Sequence, residues 1–375
     1  MKKILLAFDS FKGSLPAQEA CRIVASTLAE VRPGWQVISK PMADGGEGTS
    51  ETVLAAVSGE WCPCRVMGPL PEQTVDAGFV WFPESRTALV EMATASGITL
   101  VPDHQLNPML TTTFGTGQLV MKALEKGPDR ILLALGGSAT VDGGVGAAMA
   151  MGWRFLDAAG QLVILGGGGV EAIARMIPPV SPLTLPAVEV LCDVTNPLCG
   201  ERGAAAVYGP QKGATPEMVR RLDAALCRLA GFMKAQAGRD VAAVPGAGAA
   251  GGLAAGAMAF LGGRLVSGVE AVIEVCGVEK AMQGADWVIT GEGRLDHQSF
   301  QGKVVSGIVA AARRNHAKVA VIAGQVTLAE EEWRRHGVSQ AFGLVPLGPV
   351  TPEMIGEARP RLVDQVRLLA NAIGS

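Results

Sequence analysis

A chain of 375 residues exceeds one ordinary core and predicts two domains with an active-site cleft between them. Hydrophobic residues make up 49% but aromatics only 5%, with 49 glycines, which describes an Ala, Val, Leu and Ile core as in parallel α/β sheets. A net charge of −3 without a long Lys/Arg run excludes nucleic acid as partner, and seven scattered cysteines without a Cys-x-x-Cys pair describe a reduced, cytoplasmic protein.

Residues 2–7 read as a short buried strand, because Asp9 and Lys12 cut the apolar run too soon for a signal peptide. After the first loop, Ala20, Val24, Leu28 and Val31 recur at helical spacing, with Ser14 and Pro16 at the start. Residues 35–41 form a second strand and 47–57 a second helix. The first two loops therefore lie at the carboxyl ends of successive strands, the edge where open parallel sheets bind ligands. The rhythm then changes: 66–71, 74–82 and 87–92 are short strands of a mixed sheet, and a second domain begins near residue 67. Cys62 and Cys64 fall here as strand residues rather than metal ligands. Helix 119–124, strand 130–135, helix 146–151 and strand 188–192 follow, and the 130–135 strand could join either sheet. The longest uncharged stretch, 241–263, holds Pro245 and seven glycines; it reads as a short strand, a glycine-rich loop and a buried helix, not a membrane span. From residue 285 the βα rhythm returns, with strands 287–290, 318–323 and 341–345 and helices 304–314 and 360–373. The expected organisation is a wound domain of residues 1–66 and 280–375, interrupted by an inserted domain of residues 67–279.

Six segments weave charged residues through glycine-dense turns: 9–14, 44–49, 136–144, 193–196, 209–213 and 291–296. Glycine lets backbone N–H groups crowd an anion, and carboxylates hold a hard cation such as Mg²⁺, so the pattern points to phosphate chemistry. Asp44 and Glu47 flank Gly45 and Gly46 between a strand and a helix, so both carboxylates face one edge. Asp142 precedes a helix and fits an N-cap as well as a metal or substrate contact. Asp193 closes an apolar strand, where a charge needs either a solvated cleft or a chemical role. Lys12, Lys212, Lys303, Arg202 and Arg294 sit in or beside polar turns, where they could hold phosphate or carboxylate oxygens. A Gly-x-Gly-x-x-Gly match at Gly246, Gly248 and Gly251, with Glu270 beyond it, is a weak dinucleotide signal in an Ala/Gly-rich stretch. No Walker loop, His-Arg-Asp, Asp-Phe-Gly or Gly-x-Ser-x-Gly occurs, which excludes P-loop enzymes, protein kinases and elbow-type serine hydrolases.

Taken in order, segments 9–15, 42–49, 115–117, 136–140, 192–198, 209–214, 245–252 and 289–296 resemble the type 1 glycerate kinase family over nearly the whole chain. The resemblance implies a flavodoxin-like domain with an inserted α/β domain, and phosphorylation of D-glycerate by ATP with Mg²⁺, usually at the 2-hydroxyl. It implies glycerate and ATP as small-molecule partners, no nucleic acid or membrane, and a homodimer as the candidate assembly. Transferred onto this sequence, Asp193 is the base or hydroxyl-orienting group, Asp44 and Glu47 lie near Mg²⁺ and phosphate, and Lys12 and Ser10 meet the phosphoryl group or substrate. Arg294 or Lys212 clamps the carboxylate. Gly136, Gly137 and Ser138 lend donors, and Gly45, Gly46, Asp142, Asn196, Glu292, Asp296 and Lys303 complete the binding set. The chain departs from the family's usual pattern at Val141, where Asn is common, and at His297 and Val305, where Ser and Pro are usual. Rival readings are an oxidoreductase built on 246–251 and a sensor that binds glycerate or a nucleotide without turnover.

Overall fold

Strands ending in glycine loops set the architecture of a computed structural model that describes residues 2–11, 13–181 and 183–374. The chain divides into two compact units, one of residues 1–44, 51–58 and 269–375 and the other of 45–50 and 59–268.

In the first unit five parallel strands form one sheet. Lys3–Phe8, Gln36–Ser39, Trp287–Gly291, Lys318–Ala323 and Gln340–Gly343 stand in the spatial order 2-1-3-4-5 when numbered along the chain. This is the flavodoxin-like winding, and it places the reversal of strand order between Lys3–Phe8 and Trp287–Gly291. Both faces of the sheet are covered, so its central strands are apolar throughout instead of alternating: Ile4, Leu5, Leu6, Ala7 and Phe8 are all fully buried. Ile4, Leu6 and Phe8 share a cluster with Val24 and Leu28 of helix Ala17–Val31 and with Leu362, Val366 and Leu369 of helix Ala358–Gly374. Helix Val304–Arg314 packs on the same sheet through strands Trp287–Gly291 and Lys318–Ala323, burying Val305, Ile308 and Ala312.

The second unit holds a six-stranded mixed sheet in the order Arg264–Val266, Ala187–Leu191, Arg130–Ala134, Thr87–Glu91, Thr74–Phe82, Glu60–Met67. The first four run parallel, Thr74–Phe82 runs against them and Glu60–Met67 pairs antiparallel to Thr74–Phe82, so the strand near 130 belongs here and not to the wound sheet. A second core forms around helix Pro216–Ala237, whose Leu222, Leu226, Leu229 and Met233 pack against Val141, Val145 and Phe155. Thr215 caps that helix by accepting the Met218 N–H at 3.3 Å, and Gly238 ends it at φ 66°.

Three expectations change. Residues 241–244 form no strand: the Gly246–Gly251 segment is a turn leading into a 3-10 helix, and a Cβ at Gly248 or Gly251 would lie 2.2 Å from the Pro197 carbonyl oxygen or 1.9 Å from that of Thr140. Those glycines are required by close backbone packing and lack the preceding strand of a dinucleotide fold. The helix predicted at 119–124 begins earlier, as Phe114–Leu124, because Gly115 and Gly117 pack within its first turn against the Met67 and Ala147 carbonyls instead of forming a loop. Cys199 and Cys227 are joined in a disulfide, with Cα atoms 5.8 Å apart, so not every cysteine is reduced. Among the described residues no helix is long and apolar enough to cross a membrane.

Leu6→Ala leaves a cavity beneath both flanking helices and is expected to cost about 2–5 kcal/mol. A urea titration checks this; an unchanged midpoint would contradict the described packing.

Candidate functional site

Each unit gathers its own polar set at the carboxyl edge of its parallel strands. In the first unit the edge lies at the reversal of strand order. There the Asp9 N–H donates to the Gly291 carbonyl at 2.9 Å, which carries the strand pairing one residue into both loops. Ser10 donates its own N–H to Asp9 Oδ1 at 2.7 Å. An antiparallel bridge between Phe11 and Leu15, both buried, closes the loop, and Gly13 turns it at φ 81°. Lys12, the predicted phosphoryl contact, lies outside the described residues.

Glu292 follows the strand directly and is only 7% exposed, yet its Oε1 has no hydrogen-bond partner. Burial pushes its carboxyl above the ordinary range; Asp296 and Asp44 push in the same direction, while Ser299 and Lys303 pull against them. Asp44, Asp296 and Lys303 are thus each within electrostatic reach of Glu292. Asp296 also holds its own loop in shape, since its Oδ1 accepts the Gln298 N–H at 2.8 Å and its N–H donates to Ser299 Oγ at 2.9 Å, a capping box on turn His297–Phe300. Lys303 is the N-cap of Val304–Arg314. Arg294 is exposed and donates to Gln325 Oε1 at 3.2 Å. Of the departures from the family pattern, His297 is exposed and Val305 is buried in the helix core.

In the second unit the loop 45–48 meets the loop 136–138 backbone to backbone. A Cβ at Gly136 would come 2.3 Å from Gly46 Cα, and one at Gly137 would come 3.1 Å from Glu47 Oε2. Glu47 itself is exposed and accepts from Thr99 Oγ1 at 3.3 Å. The N–H groups expected to cradle a ligand are partly taken by a residue that sequence reading missed. Glu91, 3% exposed at the end of its strand, accepts the Gly48 N–H at 2.6 Å and the Ser50 N–H at 2.9 Å. Only its position at a strand terminus hinted at this.

Several predicted ligand contacts are engaged within the chain. Asp142 is fully buried and accepts from Thr113 N and Thr113 Oγ1, each at 2.8 Å, from Gly144 N at 3.1 Å and from Gly146 N at 3.3 Å. Burial raises its pKa against the pull of these donors. Val141 beside it lies wholly in the apolar cluster, so no polar side chain is needed at that point. Asn196 donates to the Arg202 carbonyl at 2.9 Å and accepts the Tyr208 hydroxyl at 2.7 Å, which ties down its loop. Asp193 Oδ1 accepts the Gly268 N–H at 3.0 Å, at the start of helix Gly268–Val275. Lys212, one of the two residues expected as a carboxylate clamp, is 1% exposed, with Nζ donating to Ser138 Oγ at 2.6 Å and to the Thr140 carbonyl at 2.8 Å. Burial lowers its pKa to about 7, against the opposing pull of Asp142.

Asp44 and Glu47, the predicted Mg²⁺ pair, fall in different units, and among the described residues no three or more His, Cys, Asp or Glu side chains gather as a metal cage. Mg²⁺ seldom uses such a cage, since one or two carboxylates plus phosphate and water suffice.

The Glycerate kinase family model matches residues 4–374. A glycerate kinase of Halalkalibacterium halodurans is 44% identical over 348 residues, covering 92% of this chain and 91% of the relative. The glycerate 2-kinase of Escherichia coli K12 is 42% identical over 345 residues, 92% of this chain and 90% of the relative. The solved structure of a Salmonella typhimurium LT2 protein, named as a candidate glycerate kinase 2, matches with TM-score 0.87 at 40% identity, covering 100% of this chain and 98% of that one.

Glu91→Ala should unpair Gly48 and Ser50 and speed amide exchange at both by about tenfold or more, while amides in strand Lys3–Phe8 keep their protection. Hydrogen exchange with mass spectrometry reads both segments.

Proposed function

Because this chain belongs to the glycerate kinase family, we propose that it transfers the γ-phosphoryl group of ATP to the 2-hydroxyl of D-glycerate, giving 2-phosphoglycerate. The choice of the 2-hydroxyl rests on the 42%-identical relative named glycerate 2-kinase. The reaction would run in the cytoplasm, where ATP is supplied.

Such a kinase must offset triphosphate charge, hold a carboxylate and align a hydroxyl with the γ-phosphorus. In our reading Asp193 orients the hydroxyl and takes its proton, with the Gly268 N–H fixing the carboxylate through Oδ1. Ser10, on the loop after the first strand, and Lys12 meet the phosphoryl group in this reading, and Arg294, exposed beside Glu292, offers a guanidinium to an oxyanion. The backbone N–H groups of Gly136 and Gly137 complete the donor set.

Asp44 and Glu292 would hold Mg²⁺, a fit supported by the buried, unbonded Glu292 Oε1 and by a Glu292 pKa raised first by burial and further by the neighbouring carboxylates. When bound, the ion screens phosphate charge. Without it, Lys303 is the cation that offsets the repulsion at Glu292.

³¹P NMR of the protein with ATP, Mg²⁺ and D-glycerate, against authentic standards, is expected to show 2-phosphoglycerate. A 3-phosphoglycerate signal would overturn the position while keeping the kinase. Asp193→Asn should lower kcat by roughly 10²–10⁴; near-normal turnover at saturating substrates would remove Asp193 from the proton transfer.

A further inference from the structure

Lys212 is a cation sealed inside the second unit, and among the described residues it forms no ion pair. Its ammonium has three N–H groups, of which Ser138 Oγ and the Thr140 carbonyl take two. Ser138 accepts from Lys212, so its own hydroxyl hydrogen points elsewhere, and among the described residues no acceptor receives it. Thr140 Oγ1, on a fully buried side chain, has no hydrogen-bond partner among them either. The nearby carboxylate, Asp142, is already satisfied by Thr113, Gly144 and Gly146. The cluster therefore holds donors without acceptors, one Lys212 N–H and the Ser138 hydroxyl among them.

The loop that carries Ser138 is held firmly. Ile98 N–H donates to the Gly137 carbonyl at 2.7 Å, Ala139 N–H to the Ser96 carbonyl at 2.9 Å, and Ser138 bridges Gly97. It follows strand Arg130–Ala134 at the carboxyl edge, and Ser138 retains 8% exposure. An incoming oxyanion would meet the Ser138 hydroxyl first, with the ammonium behind it.

We propose that Lys212 is a positioning residue that selects a carboxylate-bearing acceptor, by aiming the Ser138 hydroxyl at the acceptor's carboxylate and supplying the positive charge behind it. This rests on the glycerate-phosphorylating reading above. It gives Lys212 a relayed part in holding the carboxylate, in place of the direct clamp for which Arg294 is the other candidate.

The charge is conditional, since burial brings the amine to about 7. Below that pH the ammonium favours the carboxylate; above it the neutral amine no longer does. The titratable neighbours are Asp142 in its own cluster, Tyr208 on packed helix Ala204–Tyr208, and exposed Asp103 and His104 on the turn whose Leu106 carbonyl lies against Gly213.

The test measures KM for D-glycerate and for ATP from pH 6 to 9. The expected result is a glycerate KM that climbs about tenfold per pH unit above 7, with the ATP KM lacking that rise. His104→Gln should keep the profile. Lys212→Met should hold the glycerate KM high and flat. Should that variant misfold, Ser138→Ala is expected to raise the glycerate KM about tenfold at pH 6.5 with an unchanged melting temperature. A glycerate KM that stays flat, or a rise confined to ATP, would overturn the proposal; the second outcome assigns the cluster to a phosphoryl oxygen. If no turnover is seen, the kinase reading fails by itself. Calorimetric titration of glycerate at pH 6.5 and 8.5 then decides the role of Lys212, with equal affinities overturning it.

Discussion

The carboxylate of Glu91 holds the Gly48 and Ser50 N–H groups, and the arrangement of the second unit's glycine loops depends on that grip. An acid buried to this degree is costly unless it is hydrogen-bonded, and two backbone donors at a helix start are well suited to bonding it. With segment 48–50 fixed, Gly46 can lie directly against Gly136, a contact that any side chain on Gly136 would prevent. The loop that carries Ser138 is thereby held from one side by 45–48 and from another by the Ser96–Ile98 backbone.

Both units use parallel strands in the same way. An apolar strand delivers the chain to the carboxyl edge and stops, and polar residues follow it: Asp9 and Glu292 in one unit, Ser138 and Asp193 in the other. All of Asp142, Glu292 and Ser138 are buried, and what separates them is how many hydrogen-bond partners surround them. Asp142, surrounded by donors, became part of the frame, whereas Glu292 Oε1 and the Ser138 hydroxyl were left with bonding capacity to offer.

Much of this was legible in the sequence. The first strand and the return of βα rhythm after residue 285 appear where expected, because a strand covered on both faces leaves a short uniform run that composition reveals, whereas the strand expected at 66–71 lies at Glu60–Met67 and none forms at 241–244. The 22-residue helix Pro216–Ala237 went unpredicted although Thr215, Pro216 and the Leu222, Leu226, Leu229 spacing mark it. What could not be read was pairing across long separations. That Glu91 serves residues some forty positions earlier, that Cys199 meets Cys227, and that Lys212 turns inward to Ser138 are outcomes of tertiary packing with no local signature.

The interrupted winding also dictates a timetable at the ribosome. Ile4 pairs with Trp287, a partner 283 positions later (287 − 4), so the central strand pair of the first sheet cannot close until those intervening residues have been made. At about 5–20 residues per second that wait is on the order of 15–60 s. The second unit's strands, all between residues 60 and 266, are complete before then. The first sheet, whose strand Lys3–Phe8 precedes the second unit, is thus the last to be finished, and that apolar strand must be kept from aggregating while its partners emerge.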